Sequence, residues 1–249
     1  LFLLHMDENL HLPEMFMITF TNEASNQMSG RLQDVLLTRY KLTKQKKYLR
    51  WLEEQSQMHI STIHSFAYFM LKNYGINESF TKNLTIRGFE YERKNLIKDA
   101  IDNNTDVNKS IIAQLGVPFY RANGMIDDFW HKFSQLGVSH RDMINMDWGN
   151  PSDADSYSFH QTIKEIIPQL DDAYFDIKRK EEGISVDDIM RDLQEVLMSD
   201  KLPKVDMSMK YLFIDEFQDT NTVQYSIIKS LSSVHKNIFV VGDEDQCIY

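Results

Sequence analysis

The stretch YLFIDEFQDTN, Tyr211 to Asn221, closes four large apolar residues on two adjacent carboxylates, Asp215 and Glu216, and follows them with Gln218 and Asp219. A carboxylate oxygen at a strand end is a hard ligand suited to Mg²⁺, and an adjacent carboxylate can polarise a water for attack on a phosphate. Further along, NIFVVGDEDQ ends a second apolar run on Gly242 and Asp243, with Gln246 just beyond. The same residues also suit a plainer role, in which the acids merely finish a strand and Asp219 or Thr220 caps the next helix.

Chemistry of that kind needs elements that bring two strand ends together. YLFID, TVQYSIIKSLSS and NIFVVGD read as strand, helix and strand within about 33 residues, the span of a parallel crossover. Unbroken apolar runs such as YLFI and IFVV suit a parallel sheet covered on both faces, where ligands gather at the carboxyl ends of strands. Upstream, MFMITF reads as another strand feeding the helical TNEASNQMSGRL, with Ala24, Met28 and Leu32 on one face and Asn22 as the expected N-cap. HISTIHSFAYFMLKNYG places Ile63, Phe66, Ala67, Met70, Leu71 and Tyr74 on one helical face behind a Ser61/Thr62 cap. Residues 86 to 184 read as almost wholly helical around a polar loop, Trp148 to Ser158, and Ser185 is positioned to cap a further helix in SVDDIMRDLQEVLM.

Bulk composition narrows the partners. The 249 residues carry a net charge of −10, which opposes coating a polyanion through overall charge and leaves any such binding to local patches. One patch stands out: Thr38 to Arg50 holds six Lys or Arg and no acid, and reads either as a solvated helix face or as a phosphate contact. A single cysteine, Cys247, excludes an internal disulfide framework and a Cys-rich metal site. No apolar run approaches the roughly 18 residues of a membrane span, and no secretory leader pattern opens the chain. The expectation is a cytoplasmic protein without a membrane partner. Both ends fall in mid-pattern, so the chain is expected to be a piece of a longer protein.

FIDEFQDTNTVQ together with FVVGDEDQCIY resembles motifs II and III of the UvrD/Rep/PcrA group of superfamily 1 DNA helicases. ITFTNEASNQMSGRL is similar to the group's motif Ia, STIHSFAYFML to the segment after it, and GISVDDIMRDL to the helix before motif II. The resemblance implies an α/β fold, a RecA-like P-loop NTPase core with a parallel sheet interrupted by an all-helical insertion. Residues 1–85 and 185–249 would form the core and residues 86–184 the insertion.

ATP and Mg²⁺ are the implied cofactors. By resemblance, Asp215 and Glu216 lie at the metal, Glu216 activates the hydrolytic water, and Gln246 senses the γ-phosphate, while Gln218 and Asp219 would tie the site to its neighbours. Phe20 and Tyr249 would stack on bases of single-stranded DNA, while Thr19, Asn22 and His64 would contact its backbone or sugars. Implied partners are single-stranded DNA, duplex junctions and a second RecA-like domain. The sequence departs from the group at several points. Residues 1 to 18 contain neither Gly nor Lys, so the Gly-Lys-Thr phosphate loop expected upstream of motif Ia is not in this chain. Glu23 stands where Lys is usual, and Cys247 where Ser is usual. The implied parent is therefore an ATP-dependent 3′-to-5′ translocase or helicase, and this chain alone is expected to be inactive. Alternatives are the helicase subunit of an AddA/RecB-like helicase–nuclease, a degenerate DNA-binding or assembly module, and a non-helicase ATPase of the same core fold.

Overall fold

The computed structural model describes residues 10–74, 83–103, 118–138, 140–151, 154–198, 209–234, 237–243 and 245. The chain divides into two compact units, Leu1–Phe69 with Leu197–Tyr249, and Met70–Val196. The strands are β1 (Met15–Thr19), β2 (His59–Thr62), β3 (Thr85–Ile86), β4 (Gly183–Ile184), β5 (Tyr211–Ile214) and β6 (Ile238–Val240). The helices are α1 (Asn22–Thr43), α2 (Lys46–Glu54), α3 (Ile63–Tyr74), α4 (Glu90–Asn103), α5 (Phe119–Gln135), α6 (His140–Asn145), α7 (Ala154–Lys180), α8 (Ile189–Met198) and α9 (Thr222–Val234). No helix among the described residues is long and apolar enough to cross a membrane.

The first unit is built on a four-stranded sheet in the order β2-β1-β5-β6, every pairing parallel. This is the α/β arrangement expected from the apolar runs. β1 is buried along nearly its whole length, as a central parallel strand must be. One side of the unit packs Leu12, Met15, Leu36, Tyr48 and Trp51 together, and the Trp51 indole donates to the Leu10 carbonyl at 2.9 Å. Phe16 and Ile18 are buried, and Phe16 stacks on His59 at 4.2 Å and meets Phe66 edge-on.

Three local expectations are corrected here. The N-cap of α1 is Thr21, not Asn22: its extended backbone lets its hydroxyl accept from Ala24 N at 3.1 Å. His59–Thr62 is a strand that the Ser/Thr signal disguised as helix start, although Thr62 does accept from Ser65 N at 3.3 Å as a cap. The basic stretch is not one helix face, because Lys44 adopts φ 54 and ends α1 before α2 begins at Lys46.

The second unit is mainly helical. Phe89, Ile97, Ile126, Trp130, Ile167 and Tyr174 are among its core residues, with the short β3–β4 pair beside them. Gly183 fits in β4 because a Cβ there would stand 2.5 Å from the Phe89 ring. α7 begins at Ala154, inside the stretch expected as loop, since polar composition alone does not separate a loop from the first turn of a helix.

This unit also seals five charges inside. Lys178, Asp188, Asp192, Arg191 and Asp171 are each no more than 4% exposed. Lys178 donates to Asp188 at 3.2 Å and to Asp192 at 3.0 Å, while Arg191 donates to Asp171 at 2.9 Å. Asp171 also accepts from the Trp130 indole at 3.0 Å. Burial opposes the ionised form of Asp188, but Lys178 and Arg191 beside it hold its carboxyl well below the usual range. At Asp192 burial prevails and the pKa is raised. Ser185 receives the Asp188 amide at 3.2 Å and donates to its carboxylate at 2.7 Å, which fixes the turn into α8 as its capping role requires.

Candidate active site

The register of the sheet gathers the strand ends. β1 runs beside β5 from Met15 opposite Tyr211 to Ile18 opposite Ile214, and Thr19 pairs with Thr62 of β2. Beyond the last pairs the chains stay tied: Asp215 N donates to Ile18 O at 2.9 Å and Val241 N to Ile214 O at 2.8 Å. Phe217 N then donates to Val241 O at 2.9 Å. Asp215 and Glu216 therefore leave β5 held between the ends of β1 and β6.

Asp215 accepts the Glu216 amide on Oδ1 at 3.1 Å, which orients its carboxylate. Glu216 sits in the left-handed region, φ 52 and ψ 43, a conformation costing an L-residue roughly 1–2 kcal/mol. That turn swings the chain into a 3-10 turn, Phe217–Asp219, directly after the strand. The next helix, α9, is capped neither by Asp219 nor by Thr220 but by Asn221, whose Oδ1 accepts from Gln224 N at 2.9 Å. The correction has a simple cause: the 3-10 turn occupies the residues that composition offered as caps.

Gln218, expected to tie the acids to their neighbours, bonds on both sides of the site. Its Nε2 donates to Glu216 Oε2 at 2.6 Å, and its Oε1 accepts from Asp243 N at 3.0 Å. Gly242 makes this possible, because a Cβ there would stand 2.6 Å from Gln218 Oε1. The only sequence signal was a Gln two positions past the acid pair and a Gly just before Asp243.

The other expected site residues are placed unevenly. Thr19 is wholly buried, its hydroxyl 2.6 Å from Ser25 Oγ and donating to Thr21 O at 3.0 Å. That side chain orders the turn from β1 into α1. Phe20 is half-buried at the end of β1, Asn22 is exposed at the start of α1, and His64 is exposed in the first turn of α3. Gln246, Cys247 and Tyr249 lie outside the described residues. In the basic stretch, Arg50 donates to Leu10 O at 3.1 Å and Lys47 lies over the Tyr48 and Trp51 rings, whereas Arg39, Lys41 and Lys46 are exposed.

Asp215 and Glu216 supply hard oxygen donors at the carboxyl end of a parallel strand. Mg²⁺ is commonly held by one or two carboxylates, with waters and substrate phosphates completing its octahedron. No group of three His, Cys, Asp or Glu that could hold a metal forms among the described residues.

A sequence model of the UvrD/REP helicase N-terminal domain matches residues 2–249. An ATP-dependent DNA helicase PcrA of Leuconostoc citreum is 26% identical over 246 residues, covering 98% of this chain and 28% of that protein. The PcrA of Staphylococcus aureus strain Mu50 is 26% identical over 236 residues, covering 93% of the chain and 27% of its own length. A probable DNA helicase II homolog of Mycoplasma pneumoniae is 26% identical over 240 residues, again covering 93% of the chain and 28% of that protein. The chain thus spans little more than a quarter of these relatives.

Proposed function

The chain belongs to the UvrD/REP helicase N-terminal domain family, and from that premise we propose that it supplies one side of the ATP-hydrolysing site of a DNA motor. Asp215 would hold Mg²⁺, which brings the nucleotide phosphates and neutralises charge developing on them. Glu216 would accept the proton of the attacking water. The observation that carries this reading is the placement of Asp215 and Glu216 at the carboxyl end of β5, Asp215 tied by its backbone N–H to β1 and Glu216 held by the Gln218 amide, which also takes the Asp243 N–H.

A single-strand track at the same carboxyl end of the sheet belongs to the proposal. Phe20 lies at the end of β1, with Asn22 and His64 exposed in the first turns of α1 and α3. A ring accepts any base by stacking, and neutral donors grip sugar or phosphate without reading sequence. The 3′-to-5′ direction, Gln246 at the γ-phosphate and Tyr249 on the track belong to this proposal through the family resemblance. A domain boundary near residues 85 and 185, and a second RecA-like domain facing the nucleotide, are part of it too. The isolated chain, with no Gly-Lys pair anywhere in its sequence, should show no ATP turnover above background.

The deciding measurement is DNA-stimulated ATP hydrolysis by the full-length protein carrying this domain. Glu216→Gln should lower kcat by about 10²-fold or more, the scale of a lost general base, with ATP binding kept. Unchanged turnover in that variant would refute the assignment.

A further inference from the structure

We infer that Gln218 is a positioning residue that couples the Glu216 carboxylate to the chain leaving β6, with Gly242 as the opening that admits it. The inference rests on the role proposed above for Glu216. Glu216 is reached from β5 through a left-handed backbone, so its own strand does not fix its side chain. What fixes it is the Gln218 amide, at 2.6 Å from Oε2. The other end of the same amide takes the Asp243 N–H at 3.0 Å.

One planar group therefore spans two strand ends, and neither of its bonds can be altered without the other responding. A shift of the chain after β6 pulls on Gln218 Oε1 and moves the Nε2 that holds Glu216. The backbone N–H of Asp243 can only donate, so it fixes the orientation of the amide: oxygen toward Asp243, nitrogen toward Glu216. Asp243 Oδ1 accepts from Asp245 N at 3.1 Å, so the residue that Gln218 grips is itself bonded to Asp245. Gly242 is required by contact rather than by backbone angle. A Cβ there would lie 2.6 Å from Gln218 Oε1 and 3.2 Å from Gln218 N, with no room for both.

Three substitutions in the full-length protein separate the two bonds. Gln218→Met removes both, Gly242→Ala expels the side chain, and Gln218→Glu keeps an acceptor for Asp243 N while placing a carboxylate against Glu216. All three should lower kcat for ATP hydrolysis about 10- to 100-fold, the scale on which a misplacement near 1 Å acts, with KM for ATP within about twofold. Amide exchange at Asp243 should accelerate in Gln218→Met and Gly242→Ala and stay slow in Gln218→Glu. A role confined to folding would move thermal stability and KM together and would not single out Asp243. Unaltered kcat in Gln218→Met, in a protein where Glu216→Gln abolishes turnover, overturns the coupling and leaves the proposed function standing. Persisting turnover in Glu216→Gln overturns both.

Discussion

Asn221 and Gln224 each give a backbone N–H to the other's side-chain oxygen, at 3.1 Å from Asn221 N and 2.9 Å from Gln224 N. This reciprocal pair satisfies two donors at the head of α9 and sets where the turn after Glu216 must stop. Asn221→Ala should destabilise the protein by about 1 kcal/mol, read as a lower urea midpoint with an unchanged slope. A variant as stable as the parent would show that the pair holds nothing.

The sealed charges of the second unit make a larger prediction. Lys178 and Arg191 are both shared by Asp188 and Asp192, so Lys178→Met leaves two buried carboxylates to the Arg191 cation, with the Ser185 hydroxyl still donating to Asp188. Removing one partner from such a site costs about 3–5 kcal/mol. The double variant Lys178→Met with Asp192→Asn should recover part of that loss, because it also removes one of the abandoned acids. Equilibrium unfolding of the three variants measures both effects, and strict additivity would contradict the shared-partner arrangement.

Acid should weaken the protein through His59 as well. Its ring packs against Phe16 and Phe69, at 4.2 and 4.6 Å, and burial lowers its pKa below the ordinary 6.5. The folded state then binds fewer protons than the unfolded state between the two values. The contribution is fully present above pH 6.5 and is lost as pH falls below it toward the folded value. His59→Phe should flatten the stability profile between about pH 7 and pH 5. An unchanged profile would remove His59 as the source.

Binding to single-stranded DNA separates Phe20 from Thr19. Phe20→Ala should weaken binding by roughly 1–3 kcal/mol for any base composition, and because no charge is removed the salt slope should stay as it was. Thr19→Val removes a buried hydroxyl that bonds Ser25 and Thr21, so its effect should fall on stability with affinity retained. Fluorescence anisotropy across a salt series, paired with thermal unfolding, reads both.

The strand–helix–strand order around Asp215 was legible from its unbroken apolar runs, although Phe239 and Val240 of β6 are exposed rather than covered on both faces. β2 was not, because its four residues show no such run and a Thr ahead of Ile63 carries the signature of a cap. The partners that fix β2, Phe16 through Thr19, lie far back in the chain. The acids themselves were visible from type and spacing. That Gln218 ties them to a neighbour was expected too, but its partner was not legible, since the Gln218–Asp243 bond joins residues 25 apart in sequence and depends on backbone angles that composition does not encode. Thr19 illustrates the converse: the family resemblance implied a contact with DNA, whereas its side chain is wholly buried.

Glu216 has a consequence for how such a protein changes over time. Its left-handed backbone favours glycine or asparagine at that position, so either replacement is expected to raise the melting temperature while removing the carboxylate. A screen that rewards thermal robustness alone would discard this glutamate first. Its persistence in any lineage would thus record selection for turnover acting against the preference of the chain itself.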